Sequence, residues 1–307
     1  MKIAYLILCH MDPEHIARLV RKIIENTQNV AYVHVDAKVD VTPFQNLLRG
    51  LKQVRLLEKR TKIYWGGYSA IEATVDLMRC ALKDGNYDRY VLLQGLEYPI
   101  LSNARINEFF ERHQNTEFIL AQNISKKSDV REEHKYRLFY DLDRAQKITR
   151  KVIHKFNTTL MRHGIVPHLK RNYVMDASGR KMDIFQGCAQ FGITSDAAAY
   201  IVNFHDTNKG FNRYFRTVYA VDEAYFHTII YNSDFVRNTP DGRAVERAHL
   251  TDFENLTYFE YPVQVTLFTK AEDWPKLKDS GFLYFRKASS ESKQLLDLID
   301  QEHEAEE

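Results

Sequence analysis

Residues 3–8 read Ile-Ala-Tyr-Leu-Ile-Leu. The run is apolar at every position rather than at alternate ones, the pattern of a strand covered on both faces of its sheet. Asp12 and Pro13 follow it, a helix-capping residue and one suited to the first helical turn. Ile16, Leu19, Val20, Ile23 and Ile24 then fall on one face of the helix they begin. Outward from here the alternation recurs. Further strands are predicted at 31–35, 54–57, 89–94 and 117–121. A helix carrying Ile71, Val75, Met78 and Leu82, with Ser69 as its cap, and another over 103–113 lie between them. This alternation predicts an α/β fold built on a doubly wound sheet. Such sheets take ligands at the carboxyl ends of their strands. Those ends here carry His10 and Asp12, Asp36 and Lys38, and Gly95 with Glu97.

Lys and Arg number 43 against 41 Asp and Glu, so no field of one charge sign points to nucleic acid. Neither GxGxxG nor a Walker sequence is present, which leaves dinucleotide and P-loop sites unsupported. Cys9, Cys80 and Cys188 stand far apart without CxxC spacing, as expected of a protein in a reducing cytoplasm. The amino-terminal apolar run breaks at His10 and Asp12 with no cleavage-type site, so it reads as a strand rather than a leader. No run of about 18 apolar residues suggests a membrane span.

Residues 126–180 are basic and mostly helical in pattern, and read as an insertion or lid over the sheet. Sheet character returns from Ile184, and Ser195 or Asp196 is expected to cap a helix through Phe204. Then comes the stretch Tyr219–Phe235, YAVDEAYFHTIIYNSDF. Phe226, Ile229 and Ile230 give its helix a buried stripe, and Asp222 with Glu223 stand where that helix begins. Two readings of the acidic pair are open: a cap favoured by the helix dipole, or a general base held in a cleft. Asp141-Leu142-Asp143 is formally a DxD, but in a helical-looking stretch its two side chains diverge, and no metal is expected there. Toward the carboxyl end, strands are expected over 263–268 and 282–285, and helices over 273–279 and 289–299.

Several stretches carry a resemblance in a fixed order. They are IAYLILCH, YVHVDAK at 32–38, WGGYS at 65–69, YDRYVLLQGLEYPI at 87–100, FQGCAQFGITSDAAAYI at 185–201, VDEAYFHTIIYNS and GFLYFRK at 281–287. Together they make the chain similar to the core-2/I-branching N-acetylglucosaminyltransferase and peptide O-xylosyltransferase family, in a compact bacterial-type form. The resemblance implies a GT-A-type glycosyltransferase fold with a Rossmann-like nucleotide-binding half and a mixed central sheet. It implies one catalytic domain: a nucleotide-sugar half over 1–124, the lid over 125–180, and an acceptor and catalytic half over 181–307. The implied reaction is inverting transfer, most simply of N-acetylglucosamine, from a UDP-sugar to a glycan hydroxyl, with no divalent metal or other cofactor.

The family's catalytic base falls on Glu223, and its diphosphate-gripping cation on Lys287 with Arg286 beside it. Asp36 matches a position that contacts the uridine part, with His10 also on the donor side. Glu97 stands in the loop over the donor or acceptor sugar. Trp65 matches a loop residue that packs a sugar or anchors the following helix, the anchor being the expected role. The family's upstream cation falls near Gln264, so Lys270 is the expected replacement. Gln190 and Phe253 replace aromatic positions of the family, and Arg131, His134, Lys135 and Arg137 stand in the acceptor-recognising part. Two other readings stay open: a metal-dependent transferase, and a silent sugar-nucleotide or glycan-binding protein. The expected setting is cytoplasmic, with peripheral contact at the inner membrane face through the basic 146–171 stretch.

Overall fold

Strand β1 (Ile3–Cys9) is buried along its whole length and lies at the centre of the sheet. The computed structural model describes residues 1–126, 141, 143–144, 152, 155–156, 159, 172–246, 252, 255–261 and 264–306. Parallel to β1 on one side runs β2 (Val30–Val35), followed outward by β3 (Val54–Leu56). On the other side β4 (Arg89–Leu93) is also parallel, so Leu6 faces Tyr32 on one flank and Leu92 on the other. The two-residue period of a strand sends neighbours to opposite faces. Ile3, Tyr5, Ile7 and Cys9 enter one apolar layer with α1 (Pro13–Ile24) and Phe44 and Leu48 of α2 (Thr42–Leu48). Ala4, Leu6 and Leu8 enter the other with α3 (Ser69–Asp84). Each buried leucine or isoleucine among them contributes roughly 1.5–3 kcal/mol over its exposed state. An unbroken apolar run is therefore what this central position requires.

A turn after β4 leads into β5 (Glu97–Pro99) and then α4 (Asn103–Arg112). The stretch 117–121 is not the strand expected. It makes one bridge, Phe118 to Gly192. Its other amides go elsewhere: Glu117 N–H donates to Asn238 O (2.8 Å) and Ala121 N–H to the Tyr231 hydroxyl (3.0 Å). The buried Glu117 carboxylate instead accepts the Thr194 N–H (2.9 Å) and hydroxyl (2.6 Å).

Four short strands follow: β6 (Gln122–Asn123), β7 (Tyr173–Met175), β8 (Lys181–Asp183) and β9 (Phe185–Gln186), paired β6 with β9 and β7 with β8. Strand β10 (Gly192–Thr194) joins the central sheet antiparallel to β4, which gives the order β3-β2-β1-β4-β10 and makes the sheet mixed. The helix after it, α5 (Ser195–Thr207), is capped by Thr194, whose side chain accepts Ala197 N–H, rather than by Ser195 or Asp196. It leads into α6 (Lys209–Phe215) and α7 (Tyr225–Tyr231), the latter buried at every position. Residues 264–268 form no strand. Strand β11 (Thr257–Tyr258) and β12 (Tyr284–Arg286) join β5 in a second sheet, ordered β11-β12-β5. The chain ends in α8 (Trp274–Lys278) and α9 (Lys293–Glu306), the last starting later than expected, after a 3-10 turn at Ser290–Ser292. This mixed α/β architecture agrees with the expected Rossmann-like half.

Candidate active site

The turn at the carboxyl end of β4 is built around Gly95. Its φ is 80°, and a Cβ there would stand 2.9 Å from both Leu8 O and Ile16 Cδ1, so no other residue fits. Two residues on, Glu97 folds back under this turn. One carboxylate oxygen accepts Gln94 N–H (2.8 Å) and Leu96 N–H (3.1 Å). The other accepts Gln190 Nε2 (3.3 Å) and lies 3.6 Å from Arg286 Nε. Glu97 has no exposed surface, so its carboxylate is used inside the protein, in holding the turn and facing Arg286.

Arg286 reaches Glu97 because the two are register partners across β12 and β5. Its Nη1 donates to Gln94 Oε1 at 2.8 Å. Its remaining N–H groups have no hydrogen-bond partner among the described residues. Gln190 arrives from the other direction, just before β10, whose antiparallel pairing sets it beside the end of β4; its Nε2 donates to Gln94 Oε1 at 3.0 Å. Gln94 Nε2 in turn donates to Asp222 Oδ2 at 3.4 Å.

That last bond brings in the acidic pair. Ala220 takes a left-handed conformation (φ 48°) that opens a 3-10 turn at Val221–Glu223. Helix α7 starts only at Tyr225 and has no side-chain cap bond, so the helix-cap reading of Asp222 and Glu223 is not what the structure holds. Burial raises the Asp222 carboxyl above its usual range, opposed in part by its own turn's backbone N–H groups and by nearby Arg286. Glu223 is half-buried, and its Oε2 accepts Gln186 Nε2 at 3.3 Å. Its backbone carbonyl accepts Gly187 N–H at 2.9 Å. A Cβ on Gly187 would lie 1.9 Å from Leu120 O, so the packing of this residue against the 117–121 stretch also demands glycine. Residues 186 and 187 thus fix both the main chain and the carboxylate of Glu223.

Lys287 follows Arg286, and its side chain has no ion-pair partner among the described residues. Partial burial, then the Arg286 charge, lowers its ammonium pKa. Lys270 is exposed; its backbone N–H bonds the Asp273 carboxylate, and its side chain makes no bond into the Glu97 cluster. Asp36 is buried at the end of β2. Its Oδ1 accepts Lys38 N–H (2.9 Å) and Ile63 N–H (3.3 Å), and its Oδ2 meets Lys38 Nζ at 3.2 Å. These bonds organise the loop after β2. His10 is exposed at the end of β1.

Trp65 is 73% exposed, so it does not anchor α3 as expected. Its ring meets that of Tyr219 edge-on, with centroids 5.3 Å apart, directly before the Glu223-bearing turn. Arg131, His134 and Phe253, with Lys135 and Arg137, lie outside the described residues.

The DxD aspartates have other duties. Asp143 accepts both the N–H and the hydroxyl of Ser69, each at 2.7 Å, and so caps α3. Ser69, the expected cap, instead accepts Tyr64 N–H at 2.9 Å. Asp141 accepts Asp143 N–H at 3.0 Å and lies 3.6 Å from Arg144 Nε. Among the described residues no group of three or more His, Cys, Asp or Glu side chains is arranged to hold a metal ion.

Gln94, Gln186 and Gln190 are the residues the sequence reading did not select. An amide carries no charge to flag it. Gln190 entered only as a departure from an aromatic position, and Gln94 only as the last residue of a strand.

The family model described as Core-2/I-branching enzyme matches residues 3–254. Xylosyltransferase 1 of Rattus norvegicus is 25% identical over 147 residues, covering 47% of this chain and 18% of that protein. A Homo sapiens protein named probable beta-1,3-galactosyl-O-glycosyl-glycoprotein beta-1,6-N-acetylglucosaminyltransferase 7 is 29% identical over 108 residues, 34% of this chain and 25% of that protein. The chain thus spans a quarter or less of the length of these relatives. The family match takes in every strand of the central sheet, the Gln94–Glu97 turn and the Glu223 turn; on that span the chain belongs to the Core-2/I-branching enzyme family.

Proposed function

We propose that this chain is an inverting glycosyltransferase. It moves a sugar, N-acetylglucosamine in the first instance, from a UDP-sugar to a glycan hydroxyl, without a divalent metal and with Glu223 as general base. The observation that carries this reading is the setting of Glu223: half-buried, one oxygen held by Gln186, on a turn tied through Asp222 and Gln94 to Arg286. Inversion is a single in-line displacement, so a carboxylate must take the acceptor proton while the diphosphate leaves on the opposite face. Fixed cations then take the place of a metal in neutralising the departing diphosphate. Arg286, with N–H groups left over, and Lys287, with no ion-pair partner among the described residues, supply them. His10 and Asp36 sit at strand ends where the nucleoside of such a donor would lie.

The test is turnover of a panel of UDP-sugars in EDTA by wild type and Glu223→Gln. The expected result is one donor turning over in EDTA, and a variant that binds UDP yet loses roughly 10²-fold or more in rate. Turnover only with manganese overturns the metal-free part, and a fully active variant overturns the base. Among the described residues no helix is long and apolar enough to cross a membrane. Peripheral contact through the basic 146–171 stretch is part of this reading, and failure to float with anionic liposomes removes it.

A further inference from the structure

We propose that Gln94 is a positioning residue that couples the diphosphate cation to the catalytic turn, holding Arg286 with its amide oxygen and Asp222 with its amide nitrogen. This inference rests on the roles given above to Arg286 and Glu223.

The amide orientation is set by its neighbours. Oε1 accepts from Arg286 Nη1 (2.8 Å) and Gln190 Nε2 (3.0 Å), while Nε2 faces the Asp222 carboxylate (3.4 Å). Rotating the amide by half a turn would set its N–H groups against the guanidinium and a second amide, and its oxygen against a carboxylate. The main chain beneath it is equally fixed. Gln94 N–H donates to the buried Glu97 carboxylate at 2.8 Å, and Gly95 closes the turn against Leu8. Gln94 therefore has little freedom of its own to give to its partners.

The site needs a group that accepts from a cation on one side and donates to an anion on the other, with no charge. Glutamine provides this at the observed length. A glutamate in its place would keep the bond to Arg286. It would also set a negative charge against Asp222 and add a further carboxylate beside Glu97 and Glu223, where a diphosphate must be received. Asp222 adjoins Glu223 in the same 3-10 turn, so a shift of the Gln94 amide moves the base relative to the cation. A misplacement of about 1 Å in such a pair costs on the order of 10²-fold in rate.

The experiment compares wild type, Gln94→Glu and Gln94→Met in kcat and donor KM from pH 5 to 9, with thermal melts and UDP calorimetry on each. For Gln94→Glu, the rate relative to wild type falls about 10²-fold at pH 8 and climbs toward acid pH. There the introduced carboxyl takes up a proton and donates to Asp222 as the amide does. For Gln94→Met the ratio is low at every pH and does not climb. A merely structural role would change melting without this pH signature. A flat ratio for a folded Gln94→Glu, or wild-type kcat in Gln94→Met, overturns the proposal. If Gln94→Glu does not fold, Gln94→Met decides alone: wild-type kcat overturns the proposal, and reduced kcat with UDP still bound supports it. Glu223→Gln, assayed alongside, separates the two levels. Loss there with wild-type Gln94 variants rejects only the coupling, whereas an active Glu223→Gln rejects the reading beneath it.

Discussion

Glu97 and Arg286 face each other across the antiparallel pair of β5 and β12, with Glu97 Oε1 3.6 Å from Arg286 Nε and Glu97 wholly shielded from solvent. One oxygen of the carboxylate holds the turn after β4 through two backbone N–H groups, and the other faces the guanidinium. A single buried side chain thus sets the height of the 94–96 turn and the place of the cation.

Glu97→Gln keeps the shape of that side chain and removes its charge. The guanidinium, itself partly exposed, loses its buried counter-charge, and one amide nitrogen faces donors it cannot accept from. The expected outcome is a stability loss of about 1–3 kcal/mol in urea unfolding and UDP binding weakened about tenfold through the loosened Arg286. Unchanged stability would mean that the carboxylate charge does not organise this turn.

Asp143→Ala removes the cap of α3 and should destabilise by about 0.5–2 kcal/mol. Its response to added manganese should match that of wild type, because both Asp143 oxygens are engaged by Ser69. Gly67→Ala reaches the same contact from the other side, since a Cβ there would stand 2.2 Å from Asp143 Oδ1. Parallel losses in melting by the two variants, with no change in metal response, are the expected result. A selective loss of manganese response in Asp143→Ala would restore a metal role to this DxD.

How far the chain can be read without its structure depends on where each residue's partners lie. The strand at 3–9 and the helix at 13–24 are legible because burial on both faces, or on one helical face, writes a local pattern. The stretch 117–121 looks the same locally but sends its amides to Asn238 and Tyr231, partners more than a hundred residues away. Asp222 and Glu223 look like a helix start until Ala220 turns left-handed and delays the helix to Tyr225. The glutamines of the site have no local signature at all. Gln94 acquires meaning only through Gln190, Asp222 and Arg286, which the fold alone brings to it.

Trp65 tests the acceptor side. It is 73% exposed and stands against Tyr219, one residue before Ala220. An exposed indole set edge-on against Tyr219 offers an apolar face to a sugar ring. Trp65→Ala should leave melting nearly unchanged, within about 0.5 kcal/mol, and leave UDP binding intact. Acceptor KM should rise about tenfold, the loss of one such contact. An unaltered acceptor KM would remove Trp65 from the acceptor site.

Stability should fall on the acid side earlier than carboxylates alone would dictate. Burial lowers the pKa of His15, His34, His205, His227 and His303, and pushes the buried His227 down to about 3. In the unfolded chain a histidine takes its proton near pH 6.5, whereas in the fold His227 stays neutral far below that. Below about pH 6.5 the unfolded state therefore binds more protons, and stability drops as pH falls toward 3. His227 alone sets a slope approaching 1.4 kcal/mol per pH unit over that window. His34 adds a local reason, because its Nε2 accepts Thr61 N–H at 2.8 Å and must give up that bond when protonated. The raised carboxyls of Glu117, Asp143 and Asp222 act in the opposite sense, since their stability is present at low pH and lost as pH rises through their folded values. They oppose the five histidines, among which His227 is the farthest displaced. Melting temperature measured from pH 7.5 to 5 should fall steadily for wild type. His227→Gln cannot titrate, so its curve should be shallower whatever its absolute stability. Two parallel curves would mean that His227 takes its proton in the fold as readily as in the open chain.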